Sequence, residues 1–242
     1  MKKEAVIFLA IFAVLFGSCK KEDEGTVPPS EKRYLKKVIN SRPSKPTYIT
    51  NYVYYDDRKI KSMINKREDT DSLRSIRYYY NNDKLAYKVV WEENSGDTDT
   101  ISYEYGDNTC TLYLNKKGVK HKIYFYKLNQ DGLPVYEEDY DEFTGDLYSK
   151  NEYYWENGNM MKSVTTYAGS NQTSTTVFTY FDDLYNPFAG TYSFSYGLSK
   201  NYISTVDAPD SGYDYKANVL TKENSYPVEV EFGPSTIRYE YY

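Results

Sequence analysis

The stretch Tyr78-Tyr79-Tyr80-Asn81-Asn82-Asp83-Lys84-Leu85-Ala86-Tyr87-Lys88-Val89-Val90 contains the pattern that decides the fold. Tyr78 and Tyr80 are two residues apart, so in an extended strand both rings project from the same face. Asn and Asp tolerate the positive φ angles that tight hairpins require, and residues 81–83 are all of these types. A second segment rich in β-forming residues begins at Leu85. The stretch therefore predicts a strand, a short turn and a second strand.

The same unit recurs along the chain. Each unit contains an aromatic pair two residues apart, and the second members of six successive pairs are Tyr54, Tyr80, Tyr105, Tyr126, Trp155 and Tyr180. These positions are separated by 21 to 29 residues, which is room for about two strands and two turns. No apolar pattern of helical periodicity follows the first 18 residues. The repeat therefore predicts a series of β-hairpins.

The predicted fold is all-β, an antiparallel meander of about 12 or more strands rolled into a soluble barrel or a strongly curved sheet. Twisted sheets of that size rarely stay open and flat, and closure removes exposed edges. Charged residues alternate with aromatic ones in Tyr103-Glu104-Tyr105 and Arg238-Tyr239-Glu240. Charges on a lipid-facing surface cost kcal/mol each, so we predict a barrel whose outer face meets water.

Composition excludes several classes of function. The formal net charge is −5, and a mildly acidic chain without a basic stripe is a poor nucleic-acid binder. The chain has two cysteines, Cys19 and Cys110, and one histidine, His121. These counts exclude zinc sites built from Cys and His and Cys–His nucleophilic pairs. We predict no metal site and no cofactor.

The first residues predict an exported protein. Lys2-Lys3 precede the 12-residue apolar run Ala5–Phe16, which is too short for a bilayer span of about 20 residues but suits a signal peptide. The stretch Leu15-Phe16-Gly17-Ser18-Cys19 resembles a bacterial lipobox, which implies cleavage before Cys19 and lipid attachment to its thiol. We predict a signal peptide at 1–18, a lipidated Cys19 with a flexible linker at 19–33, and one tyrosine-rich β-repeat domain at 34–242.

Further resemblances indicate where in the cell the protein is located. Lys20-Lys21-Glu22-Asp23-Glu24 is similar to the export signal of Bacteroidetes lipoproteins, which implies the outer membrane with the protein facing the cell exterior; the periplasmic face is the alternative. The repeat unit resembles the YD-type repeats of secreted bacterial proteins. Together with the lipobox, residues 34–242 resemble Bacteroidetes lipoprotein families of unknown function that have a porin-like fold. The unit becomes irregular after about residue 185.

Candidate functional residues are few, because the regular recurrence of the aromatic pairs favours a structural role. Trp155 stands where other units have tyrosine, which predicts a core position. Trp91 precedes the polar stretch 92–97, and a ring partly exposed at a rim could stack on a sugar. We therefore predict a non-enzymatic binding protein that is held to the membrane by its lipid, with a glycan or another envelope protein as partner and Trp91 as the ligand-binding residue.

The alternative is an enzyme. Acidic residues cluster in Glu137-Glu138-Asp139-Tyr140-Asp141-Glu142, and two carboxyl groups separated by about 5–9.5 Å can hydrolyse glycosidic bonds. A deep cleft lined by these carboxylates would indicate an envelope hydrolase acting on glycans. A shallow aromatic patch would indicate binding. We assign no catalytic residue.

Overall fold

The computed structural model describes residues 33–70, 73–92, 96, 98–170, 172–189, 198–211 and 213–242. The predicted signal peptide, Cys19 and the linker as far as residue 32 lie outside the described residues. The strands are β1 Leu35–Arg42, β2 Lys45–Tyr54, β3 Ile60–Arg67, β4 Leu73–Asn81, β5 Lys84–Glu92, β6 Thr98–Gly106, β7 Thr109–Lys116, β8 Val119–Leu128, β9 Pro134–Tyr140, β10 Leu147–Glu156, β11 Asn159–Tyr167, β12 Thr173–Tyr185, β13 Asn201–Ala208, β14 Tyr213–Glu223, β15 Tyr226–Phe232 and β16 Ser235–Tyr241. A one-turn 3₁₀ helix, Pro209–Ser211, joins β13 to β14.

The sixteen strands form one closed antiparallel barrel. Each strand pairs with the next one along the chain, and β1 pairs with β16, where Val38 lies opposite Tyr239. The predicted all-β meander is confirmed. The sheet closes completely, with sixteen strands against the predicted minimum of about twelve.

Turn residues adopt the backbone geometry that their chemistry predicts. In the β4–β5 turn, Asn82 and Asp83 have φ angles of 47° and 66°. In the β10–β11 turn, Asn157 and Gly158 have φ angles of 51° and 77°. Two consecutive residues with positive φ match the right-handed twist of the flanking strands, which is why Asn-Asp and Asn-Gly are found there.

The barrel has two different ends. Because successive strands run in opposite directions, the turns that follow the even-numbered strands β2 to β14 lie at one end, together with Tyr34 and Tyr242. We call this the tyrosine end, since the inner-face residues Tyr52, Tyr78 and Tyr103, which are 5%, 6% and 8% exposed, lie towards it. The opposite end, where the odd-numbered strands β1 to β15 turn, is the polar end.

A repeated hydrogen bond explains why the second member of several aromatic pairs is tyrosine or tryptophan rather than phenylalanine. In each case an inner aromatic side chain near the end of an even-numbered strand donates to the main-chain carbonyl at the start of the preceding strand. The pairs are Tyr80 with Ile60, Trp155 with Pro134, Tyr180 with Met160 and Tyr241 with Pro227, at 2.9, 2.6, 2.6 and 2.6 Å. The ring fills the barrel while its polar atom satisfies a main-chain acceptor.

The outer face carries paired charges and cations stacked on rings. Lys37 Nζ lies 3.1 Å from Glu240 Oε1, and Lys162 Nζ lies 4.0 Å from the centre of the Tyr154 ring. A barrel that faces lipid has an apolar outer belt instead, because each charge near the bilayer centre costs about 2–4 kcal/mol. The outer face is therefore one that suits water. None of the helical segments among the described residues has the length and apolar character of a membrane span.

Candidate functional site

A cavity of about 520 Å³ lies inside the barrel, between β1 and the strands β12 to β16. Small-molecule sites in proteins usually measure about 300–1,000 Å³ and are mostly apolar with a few polar groups. Six aromatic side chains line this space: Phe178, Phe188, Tyr202, Tyr215, Phe232 and Tyr239. We call it the inner cavity.

Strand register brings the lining residues together. Phe178 on β12 lies opposite Val206 on β13, which lies opposite Tyr215 on β14, so the three form one row across the inner face. On the other side of the cavity, Asn40 on β1 lies opposite Ile237 on β16. The cavity therefore depends on the closure of the barrel, because one wall comes from the first strand and most of the remainder from the last five.

Two tyrosines form a deeply buried part of the wall. The hydroxyl oxygens of Tyr202 and Tyr239 are 2.9 Å apart, and their rings meet edge to face with centroids 6.1 Å apart. Burial raises the pKa of Tyr239 well above its usual value, and the hydroxyl of Tyr202 adds to this effect. The Tyr239 hydroxyl is therefore protonated at neutral pH.

The described part of the connection between β12 and β13 contributes two lining residues, Asn186 and Phe188. Phe188 packs edge to face on Tyr239, with ring centroids 5.9 Å apart. The amide of Asn186 holds this segment in place, since its Nδ2 donates to the carbonyl of Ser199 at 2.9 Å and its Oδ1 accepts from the main-chain N–H of Phe188 at 3.0 Å. Ser199 in turn accepts at Oγ from the main-chain N–H of Met160 at 3.1 Å, which ties the connection to β11.

Tyr215 is positioned by a glycine. Its ring packs directly over Gly233, in the β15–β16 turn, where a side-chain carbon would collide with the ring. Gly233 also has a φ of +57°, which other residues adopt only with strain. The ring of Tyr215 lies 5.7 Å from that of Phe232. The turn therefore sets the position of the cavity wall nearest the polar end.

Asn40 differs from the other polar lining residues in its hydrogen bonding. Its Oδ1 is buried and has no hydrogen-bond partner in the part of the chain that the structure describes. Buried carbonyl oxygens are almost always paired, so an unpaired one at the edge of a cavity requires an explanation.

The predicted acidic cluster is divided between the two faces of β9. Glu137 and Asp139 lie on the inner face, opposite Asn151 and Ser149 of β10, and Glu138 lies on the outer face. Asn151 Nδ2 donates to Oε1 of Glu137 at 2.7 Å, and the hydroxyl of Tyr153 donates to Oε2 at 2.9 Å. Burial raises the pKa of Glu137 in spite of these bonds. Both of its oxygens are already engaged, as in a structural carboxylate.

One lysine also lies inside the barrel. Lys88 on β5 pairs with Tyr78 on β4 and Ile101 on β6, both inner-face residues. Burial lowers the pKa of Lys88, and the positive charge of Arg74 lowers it further. The inner-face charges Glu137, Asp139 and Lys88 are not among the described residues that line the inner cavity.

The structure places the other predicted residues as follows. Trp91 is partly exposed and shares its face with Ser75 and Thr98, on the outside of the barrel, so its role as a ligand contact stays a prediction. Trp155 is partly buried on the inner face, as predicted for a core position. Cys110 is fully buried, and burial raises its thiol pKa to about 12. No three His, Cys, Asp or Glu side chains in the described ranges come together as metal ligands.

Sequence reasoning did not identify the inner cavity. Most of its residues belong to the stretch after residue 185, where the repeat becomes irregular, or to β1, which precedes the first complete unit. One signal was present. In Val38-Ile39-Asn40 the alternation that makes Val38 an inner residue places a polar amide at the next inner position.

No known protein family model matches the chain, and no curated protein matches it. Among solved structures, the chain is similar to a porin-like protein from Bacteroides uniformis ATCC 8492, with a TM-score of 0.55 and 11% identity. The match covers 86% of this chain and 96% of that chain. At this identity the similarity concerns the fold alone. The porin-like fold expected from the resemblance is therefore confirmed, while membership of a YD-repeat lipoprotein family stays a prediction.

Proposed function

We propose that this chain is a lipid-anchored protein of the bacterial cell envelope that binds a small, largely apolar ligand in the inner cavity and catalyses no reaction. The inner cavity carries the binding role, because its volume and its aromatic lining are typical of small-molecule sites. In this proposal the lipid on Cys19 attaches the protein to the membrane.

The anchoring role rests on the sequence. Lys2-Lys3, the apolar run Ala5–Phe16 and Cys19 follow one another as in a lipoprotein leader. One acyl chain binds a membrane only marginally, whereas two already give a stable anchor. Paired charges on the outer face support a barrel that lies in water beside the membrane. The acidic stretch after Cys19 favours the outer surface of the outer membrane, with the periplasmic face as the alternative.

The chemistry of the lining supports a non-enzymatic role. The described residues around the inner cavity include no Asp, Glu, His, Lys, Arg or Cys, and their only ionisable groups are the tyrosines Tyr202, Tyr215 and Tyr239. General acid–base catalysis works best with a group whose pKa lies near the working pH. The hydrolase alternative would have to use Glu137 and Asp139, and the oxygens of Glu137 are occupied by Asn151 and Tyr153.

A second candidate function is glycan binding on the outer face, favoured by the partial exposure of Trp91. Tryptophan offers a large stacking surface and is enriched among residues that dominate binding energy. This candidate needs no ligand inside the barrel. The two proposals are therefore tested with different ligands and different variants.

Binding of the fluorescent apolar probe N-phenyl-1-naphthylamine tests the inner cavity. The Cys19→Ala chain is the suitable protein, because acyl chains would themselves dissolve the probe. We expect saturable binding, and we expect Val206→Trp to weaken it about tenfold or more, because an indole at this inner position fills the cavity. Val177→Trp is the matched control, since Val177 lies next to Phe178 on β12 but is 40% exposed on the outer face.

The outcomes are distinct. Binding that survives in Val206→Trp, while both tryptophan variants keep the β circular dichroism spectrum of the parent, would show that the probe binds elsewhere. Absence of saturable binding to the parent chain would contradict the proposed function. The anchor is tested separately by labelled fatty acid, which the wild-type chain should incorporate and the Cys19→Ala chain should not.

A further inference from the structure

The lining of the inner cavity restricts the charge of its ligand. As the described residues supply no cationic or anionic side chain to this wall, an ionised ligand would lose its hydration without gaining a counter-ion. Burying an unpaired charge is strongly unfavourable. This wall therefore favours a ligand that is neutral when bound.

The shape of the ligand follows from the aromatic side chains. Tyr215 and Phe232 present rings inclined by 33° to each other, and Tyr202 and Phe188 meet Tyr239 at 82° and 74°. Flat faces and edges at these angles offer offset-stacked and edge-to-face contacts to another ring. A ring-containing molecule uses this wall better than a flexible chain, because it loses less conformational freedom on binding.

The polar groups differ in whether they are already paired. The Tyr202 and Tyr239 hydroxyls bond to each other, and the Asn186 amide bonds at both ends to the main chain of its own connection. Only the carbonyl oxygen of Asn40 is buried without a hydrogen-bond partner within the described ranges. Asn40 is itself one of the lining residues, so a modest rotation about its side-chain torsions brings this oxygen to the cavity surface.

From these observations we propose that the ligand of the inner cavity is a neutral, ring-containing apolar molecule that donates one N–H or O–H hydrogen bond to Oδ1 of Asn40. This inference rests on the proposed function, since it names the class of ligand for the same cavity. An amide oxygen that is buried without a donor is unfavourable, and a ligand donor that reaches it removes that penalty. A ligand of the same shape without a donor leaves the oxygen buried and unpaired.

Carbazole and fluorene test this inference, because they share one three-ring shape and differ at a single bridging group, N–H in carbazole and CH₂ in fluorene. With the Cys19→Ala chain we expect carbazole to bind about tenfold more tightly than fluorene, the usual effect of satisfying one buried acceptor. In the Asn40→Leu variant, whose side chain has a similar size and no polar atom, we expect the two affinities to become equal.

Asn51→Leu is the matched control, because it makes the same change on the outer face of the barrel, opposite Lys37, and leaves Asn40 unchanged. It should retain the preference for carbazole. A parent chain that binds both probes equally would overturn the inference and leave the proposed function standing, and so would an unchanged preference in Asn40→Leu. If neither carbazole nor fluorene nor the naphthylamine probe binds, the proposed function itself fails.

Discussion

The tyrosine end and the polar end of the barrel are built from the same sixteen strands, yet their interiors differ. At the tyrosine end, rings such as Tyr52 and Tyr103 are buried, and Tyr80 and Tyr180 bond to main-chain carbonyls. Towards the polar end, Tyr48 is 50% exposed although it lies on the same inner face as Tyr52. The aromatic repeat therefore forms the core at the tyrosine end. The inner positions towards the polar end do not belong to this repeat and can carry different side chains.

Polar inner residues show what that freedom allows. Arg74 and Glu92 face each other across β4 and β5 near the polar end, with Nε and Oε1 3.3 Å apart and both side chains about half exposed. The inner cavity also extends towards this end, through Val206, Tyr215 and Phe232. A barrel with a packed aromatic core at one end, and inner side chains that can vary at the other, is suited to binding different ligands with one fold.

The largest expected difference between the two ends is their response to alkaline pH, which should destabilise the tyrosine end. Burial raises the pKa of the inner tyrosines Tyr52, Tyr103, Tyr126 and Tyr239, and it raises that of Tyr78 to about 12. Because the folded pKa is raised, their contribution to stability is complete below about pH 10 and is lost as the pH rises. At pH 11 these five tyrosines together would lower the free energy of unfolding by about 7 kcal/mol, which is comparable with the whole stability of a domain.

We therefore expect cooperative unfolding above pH 10, with phenolate absorbance and loss of the β circular dichroism spectrum changing together. The double variant Tyr52→Phe/Tyr103→Phe should move the midpoint to higher pH. Gradual ionisation without unfolding would mean that the tyrosine end is accessible to water.

Truncating one ring at each end gives a direct comparison of packing. Tyr103→Ala should lower the free energy of unfolding by about 3–5 kcal/mol, because it leaves a cavity where the ring was buried. Tyr48→Ala should change it by about 0.5 kcal/mol or less, as for most exposed positions. Urea unfolding measures both values, and similar losses in the two variants would contradict the division of the barrel into two ends.

The two tryptophans extend the comparison to the inner and outer faces. Trp155→Ala should cost about 2–3 kcal/mol, because the variant loses a partly buried ring and the 2.6 Å hydrogen bond to Pro134. Trp91→Ala should cost less than about 1 kcal/mol. If a glycan screen finds a ligand for the outer face, Trp91→Ala should weaken its binding about thirtyfold with little change in melting temperature. Unaltered glycan affinity would remove Trp91 from the site.

The repeat allowed much of the fold to be predicted, because its physical causes are local. Alternation determines which ring faces inwards, and Asn82 and Asp83 determine where a hairpin turns. Barrel closure and the inner cavity depend on contacts between distant segments, such as Val38 with Tyr239 and Phe188 with Tyr239. No local pattern encodes these contacts. The unpaired oxygen of Asn40 likewise becomes visible only when its neighbours in space are known.

The pairing of β1 with β16 also imposes an order on assembly. It joins residues such as Lys37 and Glu240, which are 203 positions apart. All the other strand pairings are between strands that follow one another along the chain. In a chain that emerges from an export channel with its amino end first, one edge of β1 stays open while the fourteen strands between it and β16 are laid down. An open strand edge readily pairs with a strand of another molecule. For a chain exported in this way, rapid delivery of the last strand, or a chaperone that covers β1, would decide how much of it becomes a closed barrel and how much aggregates.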